Sequence, residues 1–276
     1  LCLAPSVGCF SLRFRESMRL QMKRVVNEYR KHFLMFKSDS PFLNLPSNLD
    51  RRQAFYLDGI RHALEIIKLS FSRLTTNLSV LARNYSETNH PQSYATYYLD
   101  AWAYIDALDR LLALWKLQPN AETIPELWNP DKLKDDMKHI RNIRNVSDHL
   151  AQRAEQVISS NSAALGELSW VTVLSIDPPE MKSCFIRPGF LPNSVKFQMN
   201  IPKENLFIAN SSGNVLLKAH TYTANLSEAY RQILNLAEYV ESTLKASFKS
   251  SNSRTPIGGD LFAICDLDFS GHNKNR

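Results

Sequence analysis

Glycine is scarce in this chain, with 8 among 276 residues. A phosphate cradle made of backbone amides needs glycines close together, and neither a P-loop nor a GxGxxG string is present. Cysteine is equally thin. Cys2, Cys9, Cys184 and Cys265 are scattered, with no CxxC pair and no histidine at ligand spacing, so no metal and no cofactor are expected. Isolated cysteines of this kind suit the reducing cytoplasm. No Gly-x-Ser-x-Gly elbow occurs, and no Ser-His-Asp set follows from spacing. Long apolar runs are missing too. The richest stretch, around Leu108–Leu117, has Asp106, Asp109, Arg110 and Lys116 in or beside it. It falls short of the ~18 apolar residues a membrane span requires, so no membrane contact is expected.

What remains is globular in type, with 44% hydrophobic and 22% charged residues. The net charge of +6 fits an anionic partner such as RNA, and fits an ordinary basic surface equally well. Apolar residues at three-and-four spacing predict four long helices. The first covers about Glu16 to Phe36, with Val25, Val26, Tyr29, Phe33 and Phe36 between Arg and Lys residues. Pro41 and Pro46 mark a loop. The second runs from Leu49 to about Tyr85 on Phe55, Ile60, Leu64, Ile67, Phe71, Leu74, Leu78 and Leu81, capped by Ser47 or Asn48 and stopped before Pro91. The third spans about Gln92 to Leu117, with the stripe Tyr94, Tyr98, Ala101, Trp102, Ile105, Leu108, Leu112 and Trp115 read as core. The fourth opens at Asn129-Pro130, a cap followed by proline at the first helical position, and runs unbroken to about Ile158.

Beyond it the pattern changes. Trp170–Ile176, Cys184–Ile186, Val195–Met199 and Val215–Leu217 read as short strands, with Ser212-Gly213-Asn214 as a turn. A last helix covers about Ser227 to Phe248. The expected fold is therefore mainly α: an antiparallel four-helix bundle with a small β-rich addition and a C-terminal helix. Its expected parts are an extension over 1–15, the bundle over 16–160, the β-rich segment and closing helix over 161–249, and a polar tail over 250–276, in which Leu261–Cys265 can tuck onto the body.

One string points at chemistry. In Arg144-Asn145-Val146-Ser147-Asp148-His149 a permanent cation, an amide and an imidazole lie within two turns of the fourth helix. Imidazole moves protons near neutral pH, and guanidinium holds phosphoryl oxygens as charge builds on them. With the 2′-hydroxyl of RNA as nucleophile, such groups cut RNA without a metal. Arg141 lies one turn below Asn145, and Asp148 one turn after Arg144. Asp106 and Arg110 on the third helix form a supporting pair if the two helices face each other.

The form Arg-polar-x3-His on a late helix resembles the HEPN superfamily of helical-bundle proteins. Arg-x4–6-His alone is expected about 1.4 times by chance in a chain with this many Arg and His, and requiring asparagine after the arginine lowers that to about 0.1. A second match, Arg83-Asn84-x5-His90, falls at a helix end beside Pro91. The resemblance implies a metal-independent endoribonuclease site: Arg144 as phosphate clamp, His149 as general acid or base and Asn145 as positioning group. It also implies a homodimer, a toxin or defence role, and a cognate antitoxin or nucleotidyltransferase. The competing class is a non-catalytic protein that binds RNA, a nucleotide or a protein. Arg144 and His149 lining an open basic cleft favour the enzyme, and closure by partners within the chain disfavours it.

Overall fold

The computed structural model describes residues 35–86, 91, 93–118, 124–160, 162–189, 200, 206–249, 260 and 263–264. The expected first helix, apart from its last two residues, and the expected strand Val195–Met199 lie outside them.

Helix α1 spans Arg51–Asn84. Its cap is Asp50, not Ser47 or Asn48: the Asp50 carboxylate accepts from Arg52 N at 2.7 Å and Gln53 N at 3.1 Å. Helix α2, Ala95–Lys116, packs along it. The expected fourth helix is broken into α3 (Pro130–Asp136), α4 (Lys138–Asp148) and α5 (Leu150–Ser159). Asn129 caps α3 by accepting from Asp131 N and Lys132 N, as its sequence implied. The second break falls at His149, after Asn145-Val-Ser-Asp, a run of weak helix formers whose short polar groups compete for the backbone.

The β-rich portion is a full layer. β1 (Glu167–Ile176), β2 (Pro179–Ile186), β3 (Ile208–Ala209), β4 (Ser212–Ala219) and β5 (Tyr222–Asn225) form one antiparallel sheet in the order β2-β1-β4-β3, with β5 also on β4. The expected turn at 212–214 is instead the start of β4. The reversal sits one step earlier, at Asn210 and Ser211, both of positive φ. Helix α6, Leu226–Phe248, capped by Asn225 through Glu228 N, packs on β4 and α1.

The expected antiparallel four-helix bundle is thus overturned. Helices and a five-stranded sheet share one hydrophobic core. Ile67, Leu74, Leu108 and Ile143 belong to the same buried cluster as Leu168, Trp170, Val215, Leu217 and Ile233. The physical reason lies in the strands, which alternate well enough to give the sheet an apolar face that only the helices can cover. Two tyrosines of the aromatic stripe tie the layers together. Tyr98 Oη donates to Ile186 O at 3.0 Å, with Gly166 O at 3.2 Å, and Tyr104 Oη donates to Leu226 O at 3.1 Å. Gly166 is obligatory there: its φ is +82°, and a Cβ would stand 2.6 Å from Lys218 O.

Candidate functional site

Helix α4 buries Ile140, Ile143 and Val146 and packs against α2 and β5. Arg141 and Arg144 flank that apolar edge, so both guanidinium groups turn toward α2. Arg141 Nε meets Asp109 Oδ1 at 3.2 Å. Arg144 meets Asp106 Oδ1 at 3.3 Å, Asp109 Oδ2 at 3.2 Å and Asp148 Oδ2 at 3.0 Å. Two guanidinium groups thus face three carboxylates, and Asp109 bridges both. The cluster carries one negative charge in excess. A phosphoryl group approaching Arg144 would have to displace carboxylates already bound there, against that charge.

The structure brings together Arg141, Arg144, Asp148 and Asp106 of the sequence-derived set. It adds Asp109, which sequence reasoning noted only as an interruption of an apolar run. The available signal was the i,i+3 spacing of Asp106 and Asp109 opposite Arg141 and Arg144, also i,i+3. Asn145 and His149 do not join the cluster. Both are exposed; Asn145 is in the last turn of α4 and His149 at the break before α5. The His149 carbonyl accepts from Gln152 N and Arg153 N, each at 3.0 Å, so the residue serves the helix junction. Arg110 is exposed and takes no part in the network; the α2 residue that meets α4 is Asp109. In the alternative motif Arg83 donates to Val173 O at 2.8 Å and so ties α1 to β1, while His90 lies outside the described residues.

The distribution of charge bears on the same question. Residues 37–248 hold 22 Lys or Arg and 22 Asp or Glu, so the stretch forming every described helix and strand is neutral. Residues 1–36, with seven Lys or Arg against two Glu, supply most of the net +6. No group of three or more His, Cys, Asp or Glu among the described residues is arranged to hold a metal ion, and no described helix is long and apolar enough to cross a membrane.

A different surface stands out. The core side of α1 carries Ile60, Leu64, Ile67, Phe71, Leu74 and Leu78, all buried. On the opposite side, Phe55, Ile66, Leu69 and Val80 are 67%, 40%, 59% and 51% exposed. At 100° per residue these four fall within about 60° of one another, on a line about 37 Å long. His62 and Arg73 stand in the same line, half exposed. Phe55, which the sequence places in this helix's apolar rhythm, stands on the exposed side. The sequence signal was present as apolar residues at 66, 69 and 80, off the core stripe and in register with one another. Scattered exposed apolar residues need no explanation, but an aligned set on one helix marks a contact surface. Compared with protein-family models, with curated proteins and with solved structures, the chain finds no match.

Proposed function

We propose that this chain is a non-catalytic interaction protein that binds another protein through the outer line of α1. The observation that carries the proposal is the line itself: four large apolar side chains, aligned over about seven turns of a well-capped helix. Such a line fits an amphipathic helix of a partner laid along it, with anchors at Phe55, Ile66, Leu69 and Val80. The polar members, His62 and Arg73, suit a partner carrying acidic residues beside its apolar ones.

The α4 cluster supports the same choice of class. A ribonuclease needs an arginine whose donors reach phosphoryl oxygens, and the three carboxylates on Arg144 compete for those donors. For residues 37–248, whose charges balance, a protein partner is favoured over RNA.

Site-specific photo-crosslinking of the full chain in its native cells tests this. Probes at Phe55 and Leu69 should each give a discrete protein adduct that Val80→Arg diminishes, while a probe at exposed Asp131 should not. A second copy of this chain is one admissible adduct. RNA adducts at positions 55 and 69, or equal protein yields from Asp131, would overturn the proposal. So would cleavage of RNA in EDTA by the purified protein, abolished by His149→Ala.

A further inference from the structure

We propose that the occupant of the outer line is a second copy of this chain, whose α1 lies antiparallel along it about a two-fold axis between Ile67 and Lys68. This rests on the binding surface proposed above and names its partner.

The line reads the same from both ends. When two copies of a helix pair antiparallel about a two-fold axis, residues equally far from that axis on either side face each other. The midpoint of Phe55 and Val80 falls between Ile67 and Lys68, and so do those of His62 and Arg73 and of Ile66 and Leu69. One register therefore sets Phe55 against Val80 of the second copy, Ile66 against its Leu69 and His62 against its Arg73. Apolar meets apolar, and polar meets polar. Gly59 and Thr76 share the same midpoint and fill the remaining layer. With these two the line advances in alternating steps of four and three, the spacing at which one helix follows another without drifting off it. The buried stripe of α1 lies on its opposite side, so the core it packs against does not stand between the two helices.

Other arrangements lose the match. Sliding the second copy by one heptad puts Leu69 on Gly59 and Ile66 on His62 in one direction. In the other it puts Leu69 on Arg73 and Ile66 on Thr76. A parallel pair sets Arg73 on Arg73, and like charges facing each other select against it. The antiparallel register instead takes Arg73 to carboxylates. It brings the half-exposed Arg73 to the second copy's His62, whose Nε2 lies 3.6 Å from Asp58 Oδ1 and whose Nδ1 lies 3.7 Å from Glu65 Oε2. Arg61 offsets one of these two carboxylates, which leaves one negative charge to attract Arg73. The two-fold axis makes this contact twice.

A single helix pair is small among protein interfaces. A dissociation constant on the order of 10 μM suits it, so the chain is mostly monomeric at about 1 μM and mostly paired at about 100 μM. In dilute chain Leu69 then adds little to unfolding stability.

Sedimentation of the full chain at about 100 μM should show a dimer, and Leu69→Arg a monomer with the same helical circular dichroism. Register is read separately. Isotope-labelled Phe55→Cys chain is mixed with unlabelled Val80→Cys chain under mild oxidation, and the linked peptides are mapped by mass, which sets the native cysteines aside. The mixture should give links from 55 to 80 between labelled and unlabelled chains. Neither variant alone should link to itself at 55 or at 80, because each position stands about 37 Å from its copy along the pair. A monomer at this concentration, a dimer indifferent to Leu69→Arg, or links from 55 to 55 would overturn self-pairing. A monomeric chain whose photo-crosslinking probes at Phe55 and Leu69 still capture a different protein overturns self-pairing alone. Loss of every protein adduct at those two probes overturns the surface itself.

Discussion

Helix α4 and the outer side of α1 make opposite use of their residues. Helix α4 carries the groups that chemistry uses, and the fold has tied its two arginines to three neighbouring carboxylates. The outer side of α1 carries four apolar side chains with no chemistry of their own, and the described structure leaves them 40–67% exposed. Reactive residue types say little about a site until their partners are known. Apolar residues without partners say more, because water penalises them for as long as they stay open.

The comparison breaks first if α1 is buried on both sides. Ile67 and Leu69 lie two residues apart on opposite sides of the helix. Ile67→Ala empties a fully buried site and should cost about 2–4 kcal/mol in urea unfolding. Leu69→Ala should stay within about 0.5 kcal/mol of the parent. A large loss for Leu69→Ala would mean that the outer line is already covered within the chain, and the binding surface would be lost with it.

The α4 cluster is probed by removing its excess acid. Asp106→Asn with Asp109→Asn leaves two arginines facing Asp148 alone, which turns one negative charge into one positive. The double variant should gain affinity for a short RNA at low salt, read by fluorescence anisotropy, while the parent shows little. Equal affinities would mean that carboxylate neutralisation is not what keeps phosphate away. Arg144→Ala should cost about 1 kcal/mol, a fall in melting temperature of roughly 2–4 °C, whereas His149→Ala should leave the melt almost unchanged. A larger effect of His149→Ala would restore His149 to the cluster.

Much of this was legible in the sequence, and what was missed has a common cause. The cores of α1 and α2, the Asn129-Pro130 start and the strands around Trp170 and Val215 follow from periodicity and capping, which are local. Whether Arg144 is open depends on Asp106 and Asp109, some 35 residues earlier, and spacing on α4 carries no trace of them. The sheet was undervalued because the sequence marked only the apolar centres of strands that run to ten residues in β1 and eight in β2 and β4, and a strand's contribution depends on neighbours that only the fold supplies. Phe55 is apolar and was read with the stripe, yet it stands five residues before Ile60, about 140° round the helix from it, and so falls in the outer line.

The smallest expected effect concerns the charge pair that ties the outer line to α2. Arg73 stands in that line, and its guanidinium reaches 3.2 Å from Asp100 Oδ1 on α2. The Asp100 carboxylate is buried, and its Oδ2 meets no hydrogen-bond partner among the described residues. Burial raises its pKa above the usual carboxylate value, with Arg73 only partly offsetting the shift. A carboxyl whose folded value is raised binds more protons folded than unfolded. Stability from this group is therefore complete below the unfolded value of 3.8 and declines as pH rises to the folded value, beyond which the deficit is constant. Asp100→Asn removes that dependence. The variant should melt slightly above the parent at neutral pH, and the gap should narrow to nothing as pH falls below the unfolded value, by calorimetry across the series. A gap that widens in acid would mean that Arg73 outweighs burial, and the outer line would then rest on a favourable ion pair.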